Sequence, residues 1–568
     1  MEYAVDQLQR RRLLMVGTLA TVFAVLIVQR LHWYQITDHE TFAALANDSH
    51  EQRRAIPAKR GTLLDTRGNP LVVSVMYDSV YVYRPEVGTQ EQRVIAVLAS
   101  ALGLGTDEVA RRLQSADQHW VRIAARVPAH VSSRIEAERL PGVELRRIPE
   151  REYPEGSTAS QVLGFIGTDG RGLSGLELTL DKDLAGRDGV VLTERDTIGS
   201  EITIGRKAAV AAVPGSDVVL TIDRYIQRVA ERELAAAVQA NKATGGNIIV
   251  MEPSTGAILA MASLPSFSLT SESLFDAIQP ETSKPAAVTD AYEPGSVMKL
   301  VTVAGAIEDR LVTPDTPYRD VGVALVDGVP IRNWDGGAYG NVNVREILVR
   351  SLNTGTQWVA SLLGPEKFYD YVESFGFGTP TGVRLNGEAS GWFRRPTTRG
   401  WTRVDLATNS YGQSIAVTPL QMITAIAALG NGGVLMRPQL VREVRGPDET
   451  HTFAPEPIRQ VVSQRTADTM LDMMVSVWNQ PGLQPLRING YTLAAKSGTA
   501  DIPGPDGYRS GQTYASFAGF GPIPNPRFVI LVRLDRPEAI YGGVVAAPVF
   551  RTVAQELLMY MHVPPNTR

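Results

Sequence analysis

Cysteine is absent from the 568 residues, so neither a disulfide framework nor a cysteine-based metal site can be built. An excess of either charge is also missing. The 56 basic and 60 acidic residues leave a formal net charge of -4, against the basic face that a nucleic-acid binder needs. Histidine is sparse, at His32, His39, His50, His119, His130, His451 and His562. None lies between residues 296 and 353, so a histidine-dependent serine triad would have to recruit a distant ring. No Gly-x-Ser-x-Gly elbow, His-Glu-x-x-His pair or phosphate-loop lysine occurs. No metal or cofactor is expected. Lysine is rare as well: eight of the 56 basic residues. A chain that prefers arginine this strongly keeps lysine most tellingly where a removable proton matters.

Long hydrophobic runs are limited to one. Residues 13–28 are uncharged and mostly apolar, preceded by Arg10-Arg-Arg12 and followed by Arg30, Trp33 and Tyr34. With its aromatic flank the run reaches the ~20 residues a bilayer requires. No small-residue cleavage pattern directly follows it, which favours an uncleaved anchor over a signal peptide. The expectation is a cytoplasmic tail (1–12), a single anchor (13–34) in the inner (cytoplasmic) membrane, and an extracytoplasmic remainder. A hydrophobic share of 44% with 20% charged residues describes a folded protein with room for two to four domains.

Residues 35–215 read as a mixed α/β region. Its turn-rich islands include Arg60-Gly-Thr-Leu-Leu-Asp-Thr-Arg-Gly68, Arg151-Glu-Tyr-Pro154 and Gly172-Leu-Ser-Gly-Leu-Glu177, and no catalytic set assembles there. The glycines of 167–175 lack the strand and helix that a phosphate loop needs and read as turns. From Val213-Pro-Gly215 the texture changes. Asp223 is placed to cap a helix over 224–238. Apolar strands flank Pro253-Ser-Thr-Gly256, helical segments include 344–363 and 419–429, and strands return at 492–499, 516–521 and 528–534. Strands at both ends around a helical middle predict an α/β (α+β) fold, with one antiparallel sheet covered by helices in a domain spanning 216–568.

The centre of that domain is Tyr292-Glu-Pro-Gly-Ser-Val-Met-Lys299, a polar step that opens an apolar helix. Ser296 falls in its first turn with Lys299 at i+3 on the same face. A desolvated lysine can be the base that a serine nucleophile requires. Ser-x-x-Lys alone is weak, since one is expected by chance in a chain this long. Two further islands strengthen it. Ser351-Leu-Asn353 is read as lying late in a helix that ends at Thr354-Gly355, and Lys496-Ser-Gly-Thr499 as lying on a strand of the closing sheet.

Ser-x-x-Lys, Ser-x-Asn and Lys-Ser/Thr-Gly in that order resemble the signature of the serine penicillin-binding enzymes. Nearly the whole chain is similar to a class B penicillin-binding protein, through Gly175-Leu-Glu177, Leu220-Thr-Ile-Asp223, Pro294-Gly-Ser296, Tyr411-Gly-Gln413 and Val417-Thr-Pro-Leu-Gln421. The segment 343–421 leans to the cell-division branch. Ser283-Lys-Pro285 departs from the Asn-Arg that such proteins often carry there.

The resemblance implies a peptidoglycan D,D-transpeptidase in septal or lateral cell-wall synthesis, acting on stem peptides that end in D-Ala-D-Ala and acylated by β-lactams. Ser296 would be the nucleophile, Lys299 its base, Ser351 a proton relay and Asn353 a clamp on lysine and substrate. Lys496, with Ser497 and Thr499, would receive the substrate carboxylate. The backbone N–H groups of Ser296 and Thr499 would form an oxyanion hole, and Gly498 would let substrate lie close to the strand. Residues 35–215 would be a non-catalytic, dimerisation-like pedestal. Implied partners are lipid-linked nascent glycan, a SEDS-type polymerase and other division or elongation membrane proteins. Two alternatives stay open: a D,D-carboxypeptidase or β-lactam hydrolase of the same fold, and a catalytically silent sensor or division scaffold.

Overall fold

The computed structural model describes residues 2–41, 51–114, 119–194, 208–270, 279–504 and 507–566. The chain divides into two compact units: Met1–Ala58 with Arg187–Val213, and Lys59–Gly186 with Pro214–Arg568. The first unit holds the helix Glu2–His32 and a three-stranded antiparallel sheet of Glu51–Ile56, Gly189–Glu194 and Ala208–Val210. Residues Arg10–Thr37 are long and apolar enough to cross a membrane.

In the second unit, five antiparallel strands form the central sheet, in the order Ile258–Leu264, Gly245–Met251, Phe528–Asp535, Gly507–Gly521, Ala494–Gly504. Phe528–Asp535 is buried at every position but the last. It therefore reads as an unbroken apolar run, because helices cover both faces of the sheet. On one face Arg224–Ala240 and Ala547–Tyr560 pack through Ile226, Val229, Leu234, Phe550 and Leu557. On the other lie Lys299–Glu308, Pro419–Leu429 and Gln464–Trp478. The expected cap is present: the Asp223 carboxylate accepts from the Tyr225 and Ile226 N–H groups at 2.9 and 3.3 Å. Pro419–Leu429 begins as its sequence demands, with Thr418 and Gln421 exchanging hydrogen bonds in a capping box.

Residues 59–186 contribute the antiparallel strands Pro70–Tyr83, Trp120–Val127 and Val143–Glu152, with helices Glu91–Leu102 and Thr106–Gln114 against them. The change of texture at Val213-Pro-Gly215 is not a break in this sheet. Asp217–Leu220 pairs in parallel with Leu63–Leu64 and antiparallel with Val441–Arg445. The turn-rich islands converge on one buried carboxylate. Glu177 is fully buried and accepts from Arg60 Nε at 2.6 Å and Arg151 Nε at 2.7 Å, while Arg60 Nη1 reaches Asp181 at 2.7 Å. Their spacing thus serves an internal ion network.

Candidate active site

Ser296 lies in a short 3-10 turn, Gly295–Met298, that runs directly into the helix Lys299–Glu308. The turn is wedged between two backbones. Gly295 adopts a left-handed φ of +57° and donates its N–H to Gly412 O at 2.9 Å. A Cβ on Gly295 would sit 2.4 Å from Thr499 O. Tyr411-Gly-Gln413 therefore backs the Ser296 turn on one side, and the strand Ala494–Gly504 closes it on the other.

Ser351 and Asn353 arrive differently from the sequence expectation. They do not sit late in a helix ending at Thr354-Gly355. One helix stops at Val349, Ser351 takes a left-handed φ of +57°, and Asn353 starts a new helix, Asn353–Ser374. Gly355 is small because the two helices meet there, its virtual Cβ lying 2.6 Å from Ile347 Cγ1, and not because it terminates anything. The break matters chemically. It frees Ser351 O from helix bonding and points it at a lysine.

That lysine is Lys299, fully buried. Its Nζ donates to Ser351 O at 2.6 Å and Asn353 Oδ1 at 2.8 Å, and lies 3.2 Å from Ser351 Oγ. Lys496, 1% exposed, brings its Nζ to within 3.0 Å of the same Ser351 Oγ and 2.9 Å of Ser497 O. Burial, then the neighbouring Lys496 charge, hold the Lys299 ammonium well below the usual lysine range. Burial pushes Lys496 down to about 7. A neutral lysine amine keeps two N–H donors and one lone pair. The two carbonyls occupy the two donors, which leaves the lone pair for a hydroxyl.

Ser296, Ser351, Asn353, Ser497 and Thr499 line one open cleft of ≈ 770 Å³, with Trp334 and Tyr541 on its walls. Trp334 meets Tyr541 edge to face with ring centroids 5.3 Å apart. Gly498 is present for another reason than the expected room for substrate. It faces inward, and a Cβ there would lie 2.4 Å from Ser516 Oγ and 2.8 Å from Pro294 O. Its smallness lets the Ser296 turn dock on the strand. Ser296, Lys299, Ser351, Asn353, Lys496, Ser497 and Thr499 thus come together, while Gly498 turns away from the cleft. No Ser296 Oγ–Lys299 hydrogen bond is made among the described residues.

Sequence reading passed over Glu293, although it adjoins Pro294-Gly-Ser296. The residue is 8% exposed, and Tyr508 OH donates to it at 3.2 Å. Burial raises its carboxyl to about 7. The folded protein therefore holds a proton there that the unfolded chain gives up near pH 4.5. The stabilisation is complete below pH 4.5 and is lost as pH rises through about 7. At about 1.4 kcal/mol per pH unit, this window is worth on the order of 3 kcal/mol. Glu293→Gln is expected to melt at a higher temperature than the parent at pH 8.5 and to show no gain at pH 4. Melting curves across pH check this, and an equal shift at both ends would contradict it.

A penicillin-binding protein transpeptidase domain matches residues 246–555, and a penicillin-binding protein dimerisation domain matches 55–220. Stage V sporulation protein D of Bacillus subtilis is 31% identical, over 98% of this chain and 87% of the relative. Peptidoglycan D,D-transpeptidase FtsI of Escherichia coli is 30% identical, over 97% and 92%. Among solved structures, a peptidoglycan synthetase from Bifidobacterium adolescentis superposes with a TM-score of 0.73 at 26% identity, over 91% of this chain and 98% of that one. Penicillin-binding protein 3 from Mycobacterium tuberculosis, complexed with aztreonam, gives 0.69 at 28%, over 90% and 99%.

Proposed function

The chain belongs to the penicillin-binding protein transpeptidase family, and from that premise we propose that it cross-links peptidoglycan stem peptides through an acyl-enzyme on Ser296. Neutral Lys299 takes the Ser296 proton as Oγ attacks the carbonyl of the penultimate D-Ala. The new Oγ–C bond forms, the amide C–N bond breaks, and the proton passes from Lys299 through Ser351 Oγ to the departing D-Ala amine. An acceptor amine then attacks the ester, its proton returns along the same path, and Ser296 is released. The Ser296 and Thr499 N–H groups stabilise the oxyanion at both stages. Lys496, with Ser497 and Thr499, holds the donor's terminal carboxylate.

The observation that carries this assignment is the pair of carbonyl acceptors on the buried Lys299 amine, with Ser351 Oγ between it and Lys496. β-Lactams are covalent ligands of the same serine. The apolar N-terminal helix is the anchor, with its arginine-flanked end cytoplasmic and the enzyme outside. Residues 35–215 act as a pedestal that meets a membrane-embedded glycan polymerase. Ser296 is expected to be the sole site of labelling by a fluorescent penicillin. Gel fluorescence of Ser296→Ala checks this, and retained label would remove the nucleophile from the scheme. Mass spectrometry of cross-linked muropeptides formed from lipid-linked substrate tests the reaction itself.

A further inference from the structure

Asn353 can serve Lys299 only if its amide is held in one orientation. Its Oδ1 faces Lys299 Nζ, and its Nδ2 donates to Arg332 O at 2.9 Å. The next residue in the chain, Thr354, meets a carboxylate with 1% exposure, Asp320, at the end of the strand Pro317–Asp320. Asp320 Oδ1 accepts from the Gly322 N–H at 3.1 Å and lies 2.8 Å from Thr354 Oγ. Its Oδ2 accepts from Asn333 Nδ2 at 2.9 Å and from the Tyr339 N–H at 3.0 Å. Four neutral donors thus fill the positions a carboxylate offers. Asn333, 4% exposed, completes the cage: its Oδ1 accepts from the Thr354 N–H at 3.3 Å, and its Nδ2 also reaches Gly337 O at 3.0 Å.

A fully buried carboxylate is an expensive way to fill space, and an apolar side chain would do that better. What the network supplies is a single geometry for three segments. It ties 320–322 and 333–339 to the first turn of Asn353–Ser374. Asn333 and Thr354, the chain neighbours of Arg332 and of Asn353 itself, are fixed by it. Trp334 on the cleft wall is tethered to the end of the preceding helix, through Nε1 to Arg350 O at 3.2 Å.

We propose that Asp320, together with Asn333 and Thr354, is a positioning residue for acyl transfer, fixing the Asn353 amide so that its oxygen faces the Lys299 amine. This rests on Lys299 being the base for Ser296. Asp320→Asn keeps the shape but turns an N–H against a donor whichever way its amide points. Thr354→Val removes the hydroxyl, and Thr354→Ser restores it.

The test is stopped-flow penicillin acylation of the full-length protein in detergent, as a function of pH, with thermal melts. For Asp320→Asn and Thr354→Val, the acylation rate constant is expected to fall about 10- to 100-fold, with the dissociation constant of the non-covalent complex unchanged within about twofold. Thr354→Ser is expected to stay within about threefold of the parent. The acid limb of the rate profile should move to lower pH, because a less firmly held Asn353 oxygen supports the Lys299 ammonium less well. Folded variants that acylate at the parent rate with an unmoved acid limb would overturn the proposal. So would a Thr354→Ser protein as slow as Thr354→Val. If Asp320→Asn does not fold, the two Thr354 variants decide. Failure of the underlying assignment has a separate signature, a Lys299→Arg protein that acylates as fast as Lys496→Arg, and that result would remove both.

Discussion

Lys299→Arg is expected to suppress penicillin acylation at least ~10³-fold, about as severely as loss of the serine itself, whereas Lys496→Arg retains measurable acylation. The two lysines share the Ser351 hydroxyl, yet the proposed mechanism asks opposite things of them. Lys299 must exist as a neutral amine, and full burial beside a second cation disfavours its charged form. Arginine cannot shed its proton, and its planar fork does not fit a pocket closed by Ser351 O at 2.6 Å and Asn353 Oδ1 at 2.8 Å. Lys496 is needed as a charge facing a carboxylate, which arginine also holds, often with two hydrogen bonds. Its fall to about 7 in the free enzyme has a further consequence. The parent should bind penicillin progressively less well as pH rises through 7, and Lys496→Arg should lose that dependence because it stays charged. Stopped-flow acylation of both variants between pH 6 and 9, with melts to show each is folded, checks both statements. A Lys299→Arg enzyme that acylates as fast as Lys496→Arg would show that Lys299 is not the base.

Both lysines were legible in the sequence because they stand in short motifs on strongly periodic elements. Phe528–Asp535 and Pro419–Leu429 were legible for the same reason: an unbroken apolar run, and an apolar run opened by Thr418 with Gln421 three places on. The Ser351 turn is not legible, because one residue type has two uses there. Gly355 reads as a helix stop, but its φ is ordinary, and it is small so that Ile347 can pack against it. The boundary at Val213-Pro-Gly215 marks a change in composition, while pairing of Asp217–Leu220 with Leu63–Leu64 depends on residues about 155 apart, which no local pattern encodes. Asp320, Asn333 and Thr354 were invisible for that same reason. Each is an ordinary polar residue in its own stretch, and only the fold makes them one cage.

Gly295→Ala is expected to lower the acylation rate by about 10²- to 10³-fold, the effect of losing oxyanion stabilisation, although it adds only a methyl group on the residue before Ser296. Gly295 holds a left-handed φ of +57°, which costs a residue with a Cβ about 1–2 kcal/mol. Strain of that size alone would be tolerable. The new Cβ, however, points at backbone: Thr499 O at 2.4 Å, Thr499 C at 2.7 Å and Thr499 N at 3.1 Å. Backbone of a central sheet cannot swing aside as a side chain can. Retreat the other way is blocked, because Gly412 is packed so closely that its own virtual Cβ lies 2.1 Å from Gly295 O. The strand and the Ser296 turn must therefore separate, and they carry the Thr499 and Ser296 N–H groups proposed to hold the oxyanion. Non-covalent penicillin binding through Lys496 and Ser497 should survive better than acylation, so the rate constant falls more than the affinity. Gly482→Ala is the control: nothing lies within 4 Å of its virtual Cβ, and its activity and melting temperature should match the parent. A Gly295→Ala enzyme that acylates at the parent rate would mean that the two N–H groups do not form the oxyanion hole.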